Sequence, residues 1–358
     1  MNVAACDALS EIAPIYYIGP ISPPIYFYEK VTSHLLRTAG LPRNFLAFSA
    51  RRLKVFAEEV SSQCVTDARL DFFHGFTGWI LAPPPRPYVA YSDCTFHDYM
   101  NIYHRRELFR VVDLERIERA EAAWLKRAHR VLFSTQWAAE RAVNTYGLDV
   151  ANVKTIGAFG ESDMPVNDTY AGAKEFAFVS TNFFTKGGHT VFSAFRALRA
   201  YHPDARLTVV GDCPASIASQ AGVEFVGFLR KEVPAEYAMY RQILGRVRAL
   251  VHPTSSDIAP LIIIEAGYFG CPAISSRRFA IPEIVDDMRT GLLLDEPTMA
   301  VAVERAMDWM LRNEHEYQEM RRAVWTKARK EHCKSRFSDQ LCTAVCSTMN
   351  DGWTGAAQ

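Results

Sequence analysis

His252-Pro253-Thr254-Ser255-Ser256-Asp257-Ile258-Ala259-Pro260-Leu261-Ile262-Ile263-Ile264-Glu265-Ala266 reads as a short apolar strand that ends in a polar turn and gives way to a helix. Pro260 suits the first helical position, where its fixed φ is already helical and its missing N–H has no partner to lose. The backbone amides of Leu261 and Ile262 would then point out of the helix start. Unpaired N–H groups and the helix dipole make such an end a phosphate site. Two acids, Asp257 and Glu265, belong to this element with seven residues between them. The plain alternative makes Asp257 a helix cap and Glu265 an exposed helix residue of little weight for stability. The β-branched run 262–264 is also compatible with strand.

The same strand-then-helix rhythm extends outward in both directions. Around this element, strands are expected at 176–179, 206–210, 224–226, 249–251, 273–275 and 291–294, with helices near 190–201, 235–244, 260–268, 299–312 and 314–332. In the first half, strands are expected at 15–18, 70–73, 88–91, 131–133 and 153–156, with helices at 27–37, 51–60, 106–128 and 138–146. Such alternation predicts an α/β chain of parallel sheets covered by helices on both faces. The division expected is a domain over 1–160, a polar, turn-rich linker over 161–174, a domain over 175–335, and a final helix in 336–358 that returns to the first domain. Ligands of such sheets bind at the carboxyl ends of the strands.

Composition narrows the function classes. A chain of 358 residues fits two domains, and 49% hydrophobic with 22% charged residues is the balance of a globular protein. Lys plus Arg equals Asp plus Glu at 40 each, so no bulk field attracts nucleic acid. No apolar run reaches the length that spans a bilayer, and the opening MNVAACDALSEIAP has no signal-peptide pattern. Eight scattered cysteines without a C-x-x-C pair point to a reducing cytosol rather than to zinc or disulfides. Cys94 reads as a structural core thiol.

A second signal is Phe183-Phe184-Thr185-Lys186-Gly187-Gly188-His189, after the first strand of the second half. Glycines let backbone approach a ligand, and a lysine there can neutralise a diphosphate. The plain alternative is a solvated turn lysine. Neither signal is a Walker loop or G-x-G-x-x-G, so triphosphate hydrolysis and dinucleotide binding are poorly supported.

Together these segments resemble the family 4 retaining glycosyltransferases of GT-B fold. The resemblance runs from about Glu175 to Phe337. It takes in the K-G-G turn, Val209-Val210-Gly211-Asp212, Phe225-Val226-Gly227-Phe228, the acid–seven–acid element, Phe269-Gly270-Cys271-Pro272-Ala273-Ile274, Ile281-Pro282-Glu283-Ile284-Val285 and Thr290-Gly291-Leu292-Leu293. It implies two Rossmann-like domains facing across a cleft, closing about the linker. It also implies that Lys186 contacts the donor diphosphate, Glu265 the ribose and Asp257 the transferred sugar. The amides of Leu261 and Ile262 would hold phosphate, with Pro260, Thr181, Asn182, Gly187 and Gly211 completing the donor site. Five positions depart from the family pattern: Asp257 replaces a glutamate, Pro260 a glycine, Thr181 an arginine, and Phe279-Ala280 a Gly-Gly pair.

The first half resembles the family less closely. In Pro87-Tyr88-Val89-Ala90-Tyr91-Ser92-Asp93-Cys94-Thr95-Phe96-His97, Asp93 takes the place of the histidine usually presented to the donor sugar, and His97 follows four residues on. Val131-Leu132-Phe133-Ser134-Thr135 also fits the family order. The resemblance implies catalytic roles for Asp93, His97, Asp257 and Lys186, and an acceptor-side loop of Gly19, Pro20 and Ser22 with His74. Asp93 could work on a sugar hydroxyl or as a base, or could simply cap the turn 94–97.

The function implied is transfer of a hexose-type sugar from a UDP- or GDP-linked donor, with retention, to a glycan, lipid-linked or small-molecule acceptor. No cofactor is expected. The chain lacks D-x-D, so no metal is expected either, and Lys186 with a helix N-terminus would stabilise the leaving diphosphate. A phosphorylase or synthase using the same cleft, and a non-catalytic nucleotide-sugar-binding subunit, remain open. The expected location is cytoplasmic, with peripheral membrane contact through the basic helix of Arg105, Arg106, Arg110, Arg116, Arg119, Lys126, Arg127 and Arg130. The interspersed Glu107, Glu115, Glu118 and Glu121 favour instead a solvated, ion-paired face.

Overall fold

The computed structural model describes residues 2–82 and 84–350, and these divide into two compact units, one of the described residues up to 157 together with those from 337 on, and one of residues 158–336. The first unit contains α1 (Asn2–Ser10), α2 (Phe27–Thr38), α3 (Ala50–Gln63), β1 (Asp71–His74), β2 (Tyr88–Ser92), α4 (Phe96–Tyr103), α5 (Val111–Arg127), β3 (Arg130–Phe133), α6 (Gln136–Tyr146) and β4 (Val153–Thr155). The second contains β5 (Glu175–Ser180), α7 (Gly188–Leu198), β6 (Arg206–Gly211), α8 (Ala215–Ala218), β7 (Val223–Gly227), α9 (Pro234–Arg246), β8 (Ala249–His252), α10 (Leu261–Tyr268), β9 (Ala273–Ser276), α11 (Ile281–Ile284), β10 (Gly291–Leu294), α12 (Ala300–Arg312) and α13 (Glu314–Glu331). A last helix, α14 (Lys334–Asn350), lies almost wholly in the first unit, where its Cys342 Sγ bonds the Ala8 carbonyl of α1 and its Phe337 packs on Tyr91.

The sheet of the second unit is all parallel, in the order β10-β9-β8-β5-β6-β7. Renumbered within the unit, this is the doubly wound order 3-2-1-4-5-6 read from the other edge, with its reversal between β5 and β8. Alternation along β5 sends Phe176 and Phe178 to one face, with Val191 and Phe195 of α7 and Met307 of α12, and Ala177 to the other, with Leu244 of α9 and Ile264 of α10. Crossovers on both sides of that reversal leave the loops after β5 and β8 diverging at the carboxyl edge. In doubly wound sheets, ligands bind at such a reversal.

The first unit has a four-stranded parallel sheet in simple order, β1-β2-β3-β4. The strand expected at 15–18 is not formed: Ile15, Tyr16 and Tyr17 are exposed, and β1 is the edge strand. Its aromatic and β-branched composition was the signal, but strand propensity measures fit to a half-buried pleated surface, and the flanking Pro14, Pro20, Pro23 and Pro24 have no N–H for a ladder. The single helix expected over 106–128 is a 3-10 turn Arg106–Leu108 followed by α5, and α1 and α4 are helices the sequence reading did not find.

Residues 161–174 carry no helix or strand, yet they are packed onto the second unit rather than strung free. The Asp163 amide donates to the Tyr237 hydroxyl at 2.7 Å, and Asp168 pairs at 2.5 Å with Arg321, itself buried. The expected linker is therefore part of the second unit's surface, because its polar side chains find fixed partners there.

Candidate functional site

Lys186 and Asp257 come from the two loops that flank the topological reversal, and they meet. Lys186 Nζ lies 2.7 Å from Asp257 Oδ2 and donates to the Ser256 carbonyl at 2.7 Å. Gly187 makes the approach possible. It sits at φ 85°, and a Cβ there would stand 2.9 Å from the Pro253 carbonyl oxygen. His252, at the end of β8, is buried and its Nε2 lies 3.6 Å from Asp257 Oδ2, too far for a hydrogen bond. Neither of its ring nitrogens has a hydrogen-bond partner among the described residues. Burial alone would raise the Asp257 pKa, but His252 and Lys186 outweigh it and hold the carboxyl below its ordinary value. Asp257 is therefore an anion at neutral pH, pinned by a cation.

The helix start behaves as the sequence suggests, one residue later. Pro260 is the extended residue before α10, and Leu261 is its first helical residue. The run 262–264 is helical. The first amides of α10 have no partner inside the helix and face the end where Asp257 lies in sequence. The Phe279-Ala280 pair closes the same region, the Ala280 amide donating to the Ile258 carbonyl at 3.1 Å. Phe279 stands at φ 54°, in the left-handed region where glycine is at ease. The local backbone has a conformation that suits glycine, the residue the resemblance leads one to expect there.

On the β5 side, Thr181 and Asn182 are exposed, and Asn182 is held by Ser180, with its Oδ1 accepting the Thr185 amide at 3.0 Å. Gly211, at the end of β6, has φ 102°, and a Cβ there would fall 2.0 Å from the Ser180 carbonyl oxygen. Only glycine fits between these strands.

Glu265 corrects the sequence reading. It is only 2% exposed, not a surface acid. Its Oε1 accepts from Lys231 Nζ at 2.6 Å and from the Glu161 amide at 2.8 Å, and its Oε2 accepts from the Tyr240 hydroxyl. Gly160 is required beside it, since a Cβ there would lie 2.5 Å from Glu265 Cγ. Lys231 and Tyr240, like His252, were missed in the sequence because nothing local marks them. They are brought to α10 by the loop after β7 and by α9.

In the first unit, His74 ends β1 and Asp93 directly follows the neighbouring β2, the strands being paired in register as His74↔Tyr91. His74 is half-buried against the Tyr91 ring, and its Nε2 has no partner among the described residues. Burial depresses its pKa, with the nearby Asp93 carboxylate acting the other way. Asp93 is exposed and accepts a hydrogen bond from the Ser92 hydroxyl at 3.3 Å. It does not cap the following turn: Thr95 is the cap of α4, its Oγ1 accepting the Asp98 amide. His97 is directed elsewhere, its Nδ1 3.1 Å from Glu118, which also takes Arg106 at 2.6 Å. Gly19, Pro20 and Ser22 lie in the irregular segment before α2, and no contact between them and His74 is seen among the described residues.

Behind these loops sits an acid the sequence reading placed on a solvated face. Glu121 of α5 is fully buried. It accepts from Thr77 Oγ1 at 2.7 Å, from the Phe96 amide at 2.6 Å and from the Tyr146 hydroxyl at 2.9 Å. Burial pushes its pKa up to about 7 against the pull of those donors. On α5, Arg116 pairs with Asp113 and Arg119 with Glu115, and just before it Arg105 pairs with Glu107. Burial drives the Cys94 thiol pKa far upward, which keeps it inert. No group of His, Cys, Asp and Glu suited to a metal occurs among the described residues, and no described helix is long and apolar enough to cross a membrane.

Comparison with known proteins bears on the family and the fold. Residues 161–331, just under half of the chain, match the family described as glycosyl transferases group 1. A curated relative, the gpi3 subunit of phosphatidylinositol N-acetylglucosaminyltransferase from Schizosaccharomyces pombe, is 22% identical over 187 residues, 48% of this chain and 38% of the relative. The chain thus spans well under half the length of that relative. Among solved structures, Anabaena HepE in complex with UDP and glucose superposes with a TM-score of 0.60 at 16% identity, covering 88% of each chain. Sucrose-phosphate synthase from Thermosynechococcus elongatus gives 0.64 at 16% identity over 84% of this chain and 78% of that one. The fold is that of the GT-B glycosyltransferases.

Proposed function

We propose that this chain is a retaining, metal-independent glycosyltransferase of family 4 type that takes a UDP- or GDP-linked hexose and passes the sugar to a hydroxyl acceptor. The observation that carries the reading is the Lys186–Asp257 pair across the sheet reversal, beside the N-terminus of α10 and within the stretch that matches glycosyl transferases group 1. A donor diphosphate would take over Lys186, whose present partners are a carboxylate and a carbonyl. The charge developing on the leaving diphosphate would be met by Lys186 and the amides of Leu261 and Ile262. Asp257, released from the lysine, would accept hydroxyls of the transferred sugar. Thr181, Asn182, Gly187 and Gly211 would line the donor, and Glu265, through its bond to Lys231, would order the ribose end.

Asp93 would stand at the anomeric centre or receive the acceptor proton, with His74, Gly19, Pro20 and Ser22 on the acceptor side. The curated relative is named for a phosphatidylinositol acceptor, and this favours a lipid among the acceptor classes. Thermal stabilisation across a panel of UDP- and GDP-sugars, in excess chelator, tests the reading, because a ligand that binds only the folded state raises its midpoint. Stabilisation by one nucleotide sugar followed by its turnover is the expected result. No shift with any of them, or a shift that requires magnesium or manganese, overturns it.

A further inference from the structure

Helix α2 is built inside out. A helix on a globular unit turns its apolar stripe inward, yet α2 buries no residue. Its half-buried side is Glu29, Ser33 and Leu36, which share one face at about 100° per residue. The opposite face carries Phe27, Tyr28, Val31 and Leu35, exposed at 81%, 53%, 39% and 61%. Along one flank of that face run Lys30, His34 and Arg37, all exposed. Charge in the surrounding segment is lopsided. Between Ile12 and Ala57 the bases are Lys30, Arg37, Arg43, Arg51, Arg52 and Lys54 and the only acid is Glu29, in a chain whose formal net charge is zero.

We propose that α2 is a membrane-docking helix that lies in the interface of an anionic lipid surface, Phe27, Val31 and Leu35 among the acyl chains and Lys30 and Arg37 among the headgroups. An outward apolar face beside a cationic flank is the pattern of an interfacial helix, and the local excess of positive charge selects anionic lipid over zwitterionic. The basic stretch around α5, where the sequence suggested membrane contact, does not have this pattern: Arg116 and Arg119 of α5, and Arg106 just before it, are paired with acids. The inference rests on the lipid-acceptor reading only for its purpose, because docking on a membrane needs no donor.

Flotation of the full chain with vesicles tests it, without nucleotide sugar present. The chain should float with phosphatidylcholine–phosphatidylglycerol vesicles, stay behind with phosphatidylcholine alone, and be released by salt. Phe27→Ser with Leu35→Ser should cut partitioning at least tenfold, and Lys30→Gln with Arg37→Gln about fivefold for each cation removed. Thermal midpoints should match the parent, since the substituted side chains are exposed. Absence of flotation, or variants that float like the parent, overturns the proposal. So does a lipid-free dimer that Phe27→Ser with Leu35→Ser abolishes, which would make a second copy the occupant. Nucleotide-sugar stabilisation, measured on the same samples, separates this outcome from failure of the glycosyltransferase reading.

Discussion

At the carboxyl edge of the second unit's sheet, Lys186 and Asp257 are already paired across a reversal of strand order. At the carboxyl edge of the first unit's sheet, Asp93 stands exposed beside the half-buried His74, whose Nε2 has no partner among the described residues. The difference suits the two kinds of ligand that the proposed reaction would bring. A diphosphate brings its own charge and can exchange for Asp257 at Lys186, so a site that keeps its cation paired until the ligand arrives avoids an uncompensated buried charge. A hydroxyl acceptor brings no charge and needs an open acceptor and a proton route. The second unit stores order in ion pairs at the site. The first stores it behind the site, in Glu121, which ties the loops after β1 and β2 through Thr77 and Phe96.

The largest effect that tests this contrast is expected from Glu265→Ala. Removing a buried acid leaves Lys231, the Tyr240 hydroxyl and the Glu161 amide without their acceptor. Losing one partner of a buried pair costs about 3–5 kcal/mol, with the low end expected here because Lys231 is partly exposed. Denaturant unfolding measures it. A loss below about 1 kcal/mol would mean that water replaces the carboxylate and that the cluster is not a stored framework.

Glu121 should show its effect as pH dependence. Its folded pKa, about 7, lies above the ordinary carboxyl value, so the folded state binds the extra proton. Stability from this group is therefore complete in acid and is lost as pH rises from roughly 4.5 to 7, by roughly 3 kcal/mol. Glu121→Gln should flatten that slope and be more stable than the parent at pH 8. Parallel stability curves for the two proteins between pH 5 and pH 8 would contradict the assignment.

Asp93→Asn keeps shape and removes charge. A loss of transfer rate of roughly a hundredfold is expected, with donor affinity nearly unchanged because Lys186 and α10 lie in the other unit. Near-parental transfer would strip the first unit of its catalytic carboxylate and leave the comparison resting on loop order alone.

How much of this was legible in the sequence follows from the range of the interactions. The second unit's strands and α10 were readable because each is a local apolar run closed by a polar turn. Lys186 and Asp257 were readable because each follows such a strand. Glu265 was located but its burial was not, since Lys231 and Tyr240 reach it from elements far along the chain. Glu121 alternates with arginines on α5 and looks solvated. Only its register, facing Thr77 and Tyr146, puts it in the core. The segment 15–18 failed for the opposite reason: it has strand composition without a neighbour to pair with.

The smallest effect is expected at His97, and it decides how the first unit's site is divided. His97 follows Asp93 by four residues, close enough in sequence to compete for the role of base. Its Nδ1, however, faces Glu118, whose carboxylate also accepts Arg106 Nη1. An imidazole in that position serves to fasten α4 onto α5, and its ring is turned to the helix rather than to the end of β2. His97→Gln retains a side chain able to donate to Glu118, so transfer should fall by no more than about fivefold, the scale of one partly exposed hydrogen bond. The pH profile of the acceptor step should keep its shape. A loss of roughly a hundredfold, on the scale of a removed general base, would reassign that role to His97. Asp93 would then be an electrostatic neighbour of His74, and the open site of the first unit would have to be redrawn around α4.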